Sequence, residues 1–247
     1  MSLKLLRTLL VCAPFAFPQG AGLPAKESFS YNIEWRLFNA GKAKVDITTT
    51  SQPRPETQIK FHLESTGFVS KLFKVDDEYT AHMNANWCAE SAHLIAQEGN
   101  RLRETRITFD AESKKAIYLE RDRAKNNAVV LSQEIEIPPC VHDVVGGLFF
   151  LRTLNLEPGQ TTQIPVSDGK KSVMVKVEAQ AREDVKTPAG TFKTVRYEVY
   201  LFNNVLYKRA AHVNVWLSDD RRRLPVQIRV RMTITIGTIN LLLEKHE

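Results

Sequence analysis

The strongest constraint on this chain is alternation. From Phe29 onward, Tyr31, Ile33, Trp35 and Leu37 fall on every second position, with Ser30, Asn32, Glu34 and Arg36 between them. The pattern returns near the end, where Ile228, Val230, Met232, Ile234 and Ile236 alternate with Gln227, Arg229, Arg231, Thr233 and Thr235. Successive side chains of a strand point to opposite faces, so these stretches read as half-buried strands and not as amphipathic helices. Weaker alternation runs through residues 43–49, 59–65, 75–83, 93–98, 101–110, 116–120, 129–137, 161–166, 173–181 and 195–201. Residues 205–217, which contain Trp216, read as a further strand. Asn39-Ala40-Gly41, Gly99-Asn100, Asp168-Gly169 and Thr187-Pro188-Ala189-Gly190 punctuate the runs as turns.

The sum is roughly a dozen strands, and a flat open sheet of that size would leave long unpaired edges. The expected fold is therefore all-β and mainly antiparallel, one large sheet curled into a barrel or half-barrel. No composition shift or linker interrupts residues 26–247, so a single β-barrel-like domain is expected there.

One stretch breaks the alternation. Val144, Val145, Leu148, Phe149, Leu151 and Leu154 follow the spacing of a helix face. Asp143 stands where an N-cap belongs, and Pro138-Pro139 and Pro158-Gly159 bound the segment. The reading is one short apolar helix packed on or in the sheet. Residues 67–73 also leave the strand pattern and read as a short helical turn.

Residues 1–25 have the layout of a cleaved export signal: Lys4 and Arg7, a short apolar run over 9–17, then small residues ending at Ala25. The run is too short to span a bilayer. Removing it leaves two cysteines, Cys88 and Cys140. An even pair in an oxidising compartment reads first as a disulfide. The net charge is +6, but its cations are interspersed with 28 acidic residues, which is not a nucleic-acid footprint. Contact with anionic lipid or glycan fits that balance equally well.

Sites of chemistry are scarce. The chain holds no nucleophile elbow, zinc-binding helix motif, phosphate loop or dinucleotide fingerprint, so no catalytic residue and no cofactor is expected. Cys140-Val141-His142 lacks the paired spacing of a zinc site, and no metal is expected. The candidates for ligand binding are the apolar helix face of Leu148, Phe149 and Leu151, read as a movable lid, and Trp87, beside Cys88 in a loop. Arg229 and Arg231 share one strand face, as do Arg101 and Arg103. On the concave side they would make a basic groove for a lipid head group or an anionic glycan. Trp35 and Trp216 fit the strand alternation and read as core.

Several short motifs occur together in order. They are Tyr31-Asn32-Ile33-Glu34-Trp35 with Ala40-Gly41, Asp143-Val144 running into Leu151-Arg152, Thr187-Pro188-Ala189-Gly190-Thr191-Phe192, and Trp216-Leu217-Ser218-Asp219-Asp220 with Arg223-Leu224-Pro225-Val226. In this the chain resembles the exported bacterial family called domain of unknown function 3108, across nearly all of residues 26–247. It departs from the family at the helix, where a Ser is usual at the position of Gly146 and a Tyr at that of Phe149 or Phe150. The resemblance implies a curved antiparallel sheet of the kind seen in periplasmic lipoprotein carriers, and it implies no activity. The function expected is that of an exported, periplasmic binding or carrier module for an amphiphilic or apolar ligand, not an enzyme. Its partner would be a lipid or other amphiphile. The alternative is a structural module of the cell envelope whose partner is another envelope protein. No nucleic acid is expected as a partner.

Overall fold

The computed structural model describes residues 24–36, 38–232 and 237–247. The expected signal, up to residue 23, and the alternating residues 233–236 lie outside the described residues.

The first eight strands follow one another as β1 (Lys26–Trp35), β2 (Phe38–Thr50), β3 (Glu56–Ser65), β4 (Val75–Asn84), β5 (Ala89–Glu98), β6 (Arg101–Asp110), β7 (Lys115–Asp122) and β8 (Ala128–Glu136). A short helix, α1 (Gly67–Leu72), joins β3 to β4. The two-residue β9 (His142–Asp143) leads into α2 (Val144–Phe150), which ends in a 3-10 turn over Leu151–Thr153. The chain closes with β10 (Thr161–Ser167), β11 (Ser172–Thr187), β12 (Gly190–Val199), β13 (Ala211–Ser218), β14 (Pro225–Met232) and β15 (Thr238–His246). The fifteen strands of the described residues form one sheet in the order β8-β7-β6-β5-β4-β3-β2-β1-β15-β14-β13-β12-β11-β10-β9. Every pairing is antiparallel except that of β9 with β10. The all-β expectation holds, with more strands than the alternation alone resolved.

The first and last strands pair with each other in the middle of the sheet, with Ile33 opposite Leu241 and Glu34 opposite Asn240. Register shifts at Ile33/Glu34, His82/Met83, Glu120/Arg121 and Ala179/Ala181 each bend a strand and add local twist. The sheet therefore curls, and it is not closed. The connection from β10 to β11 reaches across the opening, where Gln133 Nε2 donates to the Lys170 carbonyl at 3.0 Å. A Cβ on Gly169 would lie 2.8 Å from the Ile107 side chain, and φ is +80° there, so this turn requires glycine.

The alternation sorts the core as the sequence suggests. Phe29, Tyr31 and Ile33 of β1 are buried with Val45, Ile47 and Ile59 in one cluster. Val175, Val177, Val195, Val213 and Val215 form a second. The expected strand over 205–217 begins only at Ala211. Asn203 and Asn204 have φ of 60° and 69°, and the amides of Leu206 and Tyr207 both donate back to the Leu201 carbonyl. Two adjacent asparagines in the left-handed region turn the chain on itself, and this overrides the strand propensity of Val205 and Leu206.

The short apolar helix is α2, and it sits inside the curl. Phe149 is buried 5.9 Å from the Phe29 ring, and Leu151 is fully buried in the second cluster. Arg152 follows it with no exposed side-chain surface. Its guanidinium bonds both oxygens of Glu27 and the carbonyls of Arg222 and Arg223. That places α2 against the first strand and the β13–β14 turn at once.

Candidate functional site

The start of α2 and one face of β4–β7 line a partly open cavity of about 200 Å³. Two cross-strand rows build the sheet wall. Tyr79 lies opposite Leu94, which lies opposite Thr105, while Ala92 lies opposite Ile107, which lies opposite Tyr118. Val144 and Val145 of α2, the Ser167–Lys170 connection and Tyr207 complete the lining. Ala92 leaves room where a larger residue would fill the space.

Asp143 anchors this wall. Its Oδ1 accepts from the amides of Val145 and Gly146 at 3.1 and 2.9 Å, a capping contact that begins the helix. The same oxygen accepts from the Tyr79 hydroxyl at 2.6 Å. Oδ2 is buried and has no hydrogen-bond partner among the described residues. Burial pushes the Asp143 carboxyl above its ordinary range, against three hydrogen bonds that pull it down. Burial, then the Asp143 charge, pushes the Tyr79 phenol well up. Burial pushes Tyr118 up to about 12 and raises Tyr207 further. The cavity is thus walled by protonated phenols and aliphatic side chains. Lys170 stands at its border, with Nζ 5.2 Å from the Tyr118 ring centre.

His142 lies behind Asp143. Its Nδ1 hydrogen-bonds the Trp87 carbonyl at 2.7 Å, and its ring stacks on Phe150 with centroids 4.2 Å apart. Burial holds its pKa below the ordinary value, so the neutral ring donates to that carbonyl. The disulfide Cys88–Cys140 closes the same corner, and the Ala89 amide donates to the Val141 carbonyl at 2.7 Å. The pairing read from the cysteine count is present. Among the described residues no group of His, Cys, Asp or Glu is arranged to hold a metal ion.

The residues singled out from the sequence lie around this cavity and apart from it. Phe149 and Leu151 face the two core clusters, and Leu148 packs partly buried against the second. The residues of α2 that line the cavity are the preceding Val144 and Val145. Trp87 is half-buried at the β4–β5 turn with φ of 62°. Arg229 and Arg231 line a separate shallow groove with Arg36, Gly237, Thr238 and Asn240. Arg229 Nε donates to Asn240 Oδ1 at 2.7 Å, and its guanidinium lies 4.8 Å over the Trp216 ring. Arg103 pairs with Asp122 at 2.7 Å, while Arg101 stays exposed. Sequence reasoning missed Tyr79, Ile107, Tyr118 and Tyr207. Strand alternation puts the first three on an inward face, but it does not distinguish a lining residue from a packed one.

The space beside Gly146 is closed to a larger residue. A Cβ there would lie 2.3 Å from Asp143 Oδ2 and 2.7 Å from Met83 Sδ. The carboxylate and the thioether occupy the space that a serine side chain would need.

The architecture has a solved counterpart in a β-barrel-like protein of domain of unknown function DUF1849 from Brucella abortus. The two share 9% identity with a TM-score of 0.60, over 92% of this chain and 99% of the other. A second structure, from Bacteroides fragilis NCTC 9343, is described as a candidate exported protein with a YmcC-like fold. It matches at 11% identity and a TM-score of 0.40, over 91% of this chain and 97% of its own. The comparison with curated proteins gives no match. The family model for the protein of unknown function DUF3108 matches residues 30–244, from the first strand to the last, and the chain belongs to that family.

Proposed function

We propose that this chain is an exported, non-catalytic binding module that takes a small amphiphile into the cavity at the start of α2. The observation that carries the reading is the lining itself. Leu94, Ile107, Val144 and Val145 offer an apolar wall, and Tyr79, Tyr118 and Tyr207 add rings with polar tips. Asp143, Asp168 and Lys170 give the ligand a charged end to meet. This is the make-up of a ligand pocket: mostly apolar, with a few convergent polar groups. A cavity of about 150 Å³ holds benzene, so about 200 Å³ suits a single ring or a short chain. Leu148, Phe149 and Leu151 serve this role by holding α2 in the curl, so that the helix start forms one side of the cavity. The disulfide between Cys88 and Cys140 supports export to an oxidising compartment such as the periplasm.

The test is native mass spectrometry of protein recovered gently from producing cells, followed by solvent extraction. A stoichiometric small amphiphile is expected. In an Ala92→Phe variant, which fills the cavity, occupancy falls at least tenfold, while a cooperative thermal transition shows that the fold is kept despite an overpacking cost of about 1–3 kcal/mol. A wild-type protein that carries nothing, and still carries nothing after incubation with an envelope lipid extract, would overturn the reading.

A further inference from the structure

Antiparallel connectivity gathers Arg36 and the connections 66–74, 99–100, 123–127, 168–171 and 200–210 at one rim of the curled sheet. Every charged residue in these stretches is Lys or Arg except Asp168. The connections at the opposite rim, 51–55, 85–88, 111–114, 154–160, 188–189 and 219–224, mix the two signs in near balance.

The cationic rim also exposes large apolar side chains. Helix α1 buries none of its residues. Phe68 and Leu72, four apart and so on one helix face, are 72% and 65% exposed. Phe73 is 53% exposed, its ring against Gly99 of the β5–β6 turn. Phe38, at the start of β2, is 68% exposed. It lies three residues before Gly41, whose strand partner Ser65 leads into α1, so both stand at the same rim. The helix is nonetheless anchored, because the Thr66 amide donates to the Ala40 carbonyl at 2.9 Å and Val69 packs on the core. Lys71 and Lys74 flank the apolar tip. Beside the rim, Arg36, Arg229 and Arg231 line the shallow groove with Thr238 and Asn240.

We propose that this rim docks on an anionic lipid surface, with Phe68, Leu72, Phe73 and Phe38 entering the head-group boundary and the surrounding cations facing lipid phosphates. Anchored aromatic and leucine side chains beside the Lys and Arg of the rim connections, with Asp76 and Glu98 set back at the ends of β4 and β5, combine the two attractions that hold a protein at a charged membrane interface. A second copy of the chain is the poorer occupant, since it would bring a like-charged rim into contact. The inference rests on the rim alone and is independent of what fills the cavity.

The test is flotation of the protein, as processed by the producing cell and with its N-terminus read by mass, with vesicles of phosphatidylglycerol and phosphatidylcholine at 30:70, and with phosphatidylcholine alone. Binding is expected only to the anionic vesicles and falls at least tenfold between low and 0.3 M salt. The Phe68→Ser/Leu72→Ser and Lys71→Glu/Lys74→Glu variants each bind at least tenfold more weakly, with unchanged thermal unfolding because these side chains are exposed. An Arg221→Glu change on the opposite rim leaves binding intact. No flotation of the wild type, or equal flotation of wild type and both rim variants, would overturn the proposal. So would a concentration-dependent dimer that Phe68→Ser/Leu72→Ser dissolves, because it would assign the patch to a second copy. Binding to a soluble polyanion as tight as to vesicles, and indifferent to Phe68→Ser/Leu72→Ser, would likewise overturn it.

Discussion

Arg152 meets Glu27 through two parallel hydrogen bonds of 2.7 and 2.9 Å, and neither side chain has more than 3% of its surface exposed. The guanidinium also lies 5.3 Å over the Phe29 ring, and His246 of the last strand reaches the same carboxylate at 3.1 Å. One charge pair thus ties the end of α2 to both β1 and β15. Arg152→Met is expected to destabilise the fold by about 3–5 kcal/mol, because it leaves the buried Glu27 with only His246 beside it. The double change Arg152→Met/Glu27→Leu recovers a good part of that loss. Urea unfolding of the three proteins checks both statements, and a double variant no better than the single one would refute the pairing argument.

Gly146→Ala tests the crowding at the start of α2. Alanine favours a helix over glycine by about 1 kcal/mol. Here its Cβ would approach Asp143 Oδ2 and the Met83 sulfur closer than van der Waals contact allows. A net loss of about 1–3 kcal/mol is expected, as for other overpacked sites. A variant that melts higher than the wild type would show that the carboxylate moves aside freely.

Asp77 sets a pH dependence. Burial, with the Glu98 and Asp76 charges behind it, pushes its carboxyl from 3.8 up to about 6, although the Gln97 amide donates to it. In the folded chain the proton leaves near pH 6, and in the unfolded chain near pH 4. The folded form therefore bears a penalty that is complete above pH 6 and gone below about pH 4. Asp77→Asn is expected to be more stable than the wild type at pH 7.5 by about 1 kcal/mol, after allowance for solvent screening. The difference closes as pH falls to 4, and equal stabilities at pH 7.5 would contradict it.

The Cys88–Cys140 bridge spans a sequence separation of 52 residues. Chain entropy makes a loop of that size worth about 4 kcal/mol to the folded state. Cys88→Ser/Cys140→Ser is expected to lose about 2–4 kcal/mol in chemical denaturation, and the wild type a similar amount in reductant.

The parts of the fold that follow from local rules were readable in the chain. Alternation in β1, the Gly99-Asn100 turn, the Asp143 cap and the disulfide each depend on neighbours in sequence or on a count of cysteines. The misread residues 205–210 depend on two consecutive asparagines in a left-handed conformation, which strand propensity does not register. The cavity was harder still. Leu148 and Val145 look alike on a helical projection, yet only Val145 lines the cavity. That choice is made by the rotation of α2 about its axis, and Arg152, whose partners are over a hundred positions away in Glu27 and about seventy in Arg222 and Arg223, fixes it.

The pairing of β1 with β15 bears on the timing of folding. Ser28 and Glu247 exchange both backbone hydrogen bonds, at 2.8 and 3.0 Å, so the first strand to be synthesised keeps one side vacant until the last arrives. Two half-sheets, β1–β8 and β10–β15, can form from antiparallel neighbours in sequence, and their strand ladders join along this seam. A chain threaded outward from its N-terminus would emerge with an open β1 edge, the surface on which strands of different molecules associate. Its safety in that interval would depend on a partner that covers the edge or on rapid arrival of the C-terminal strand.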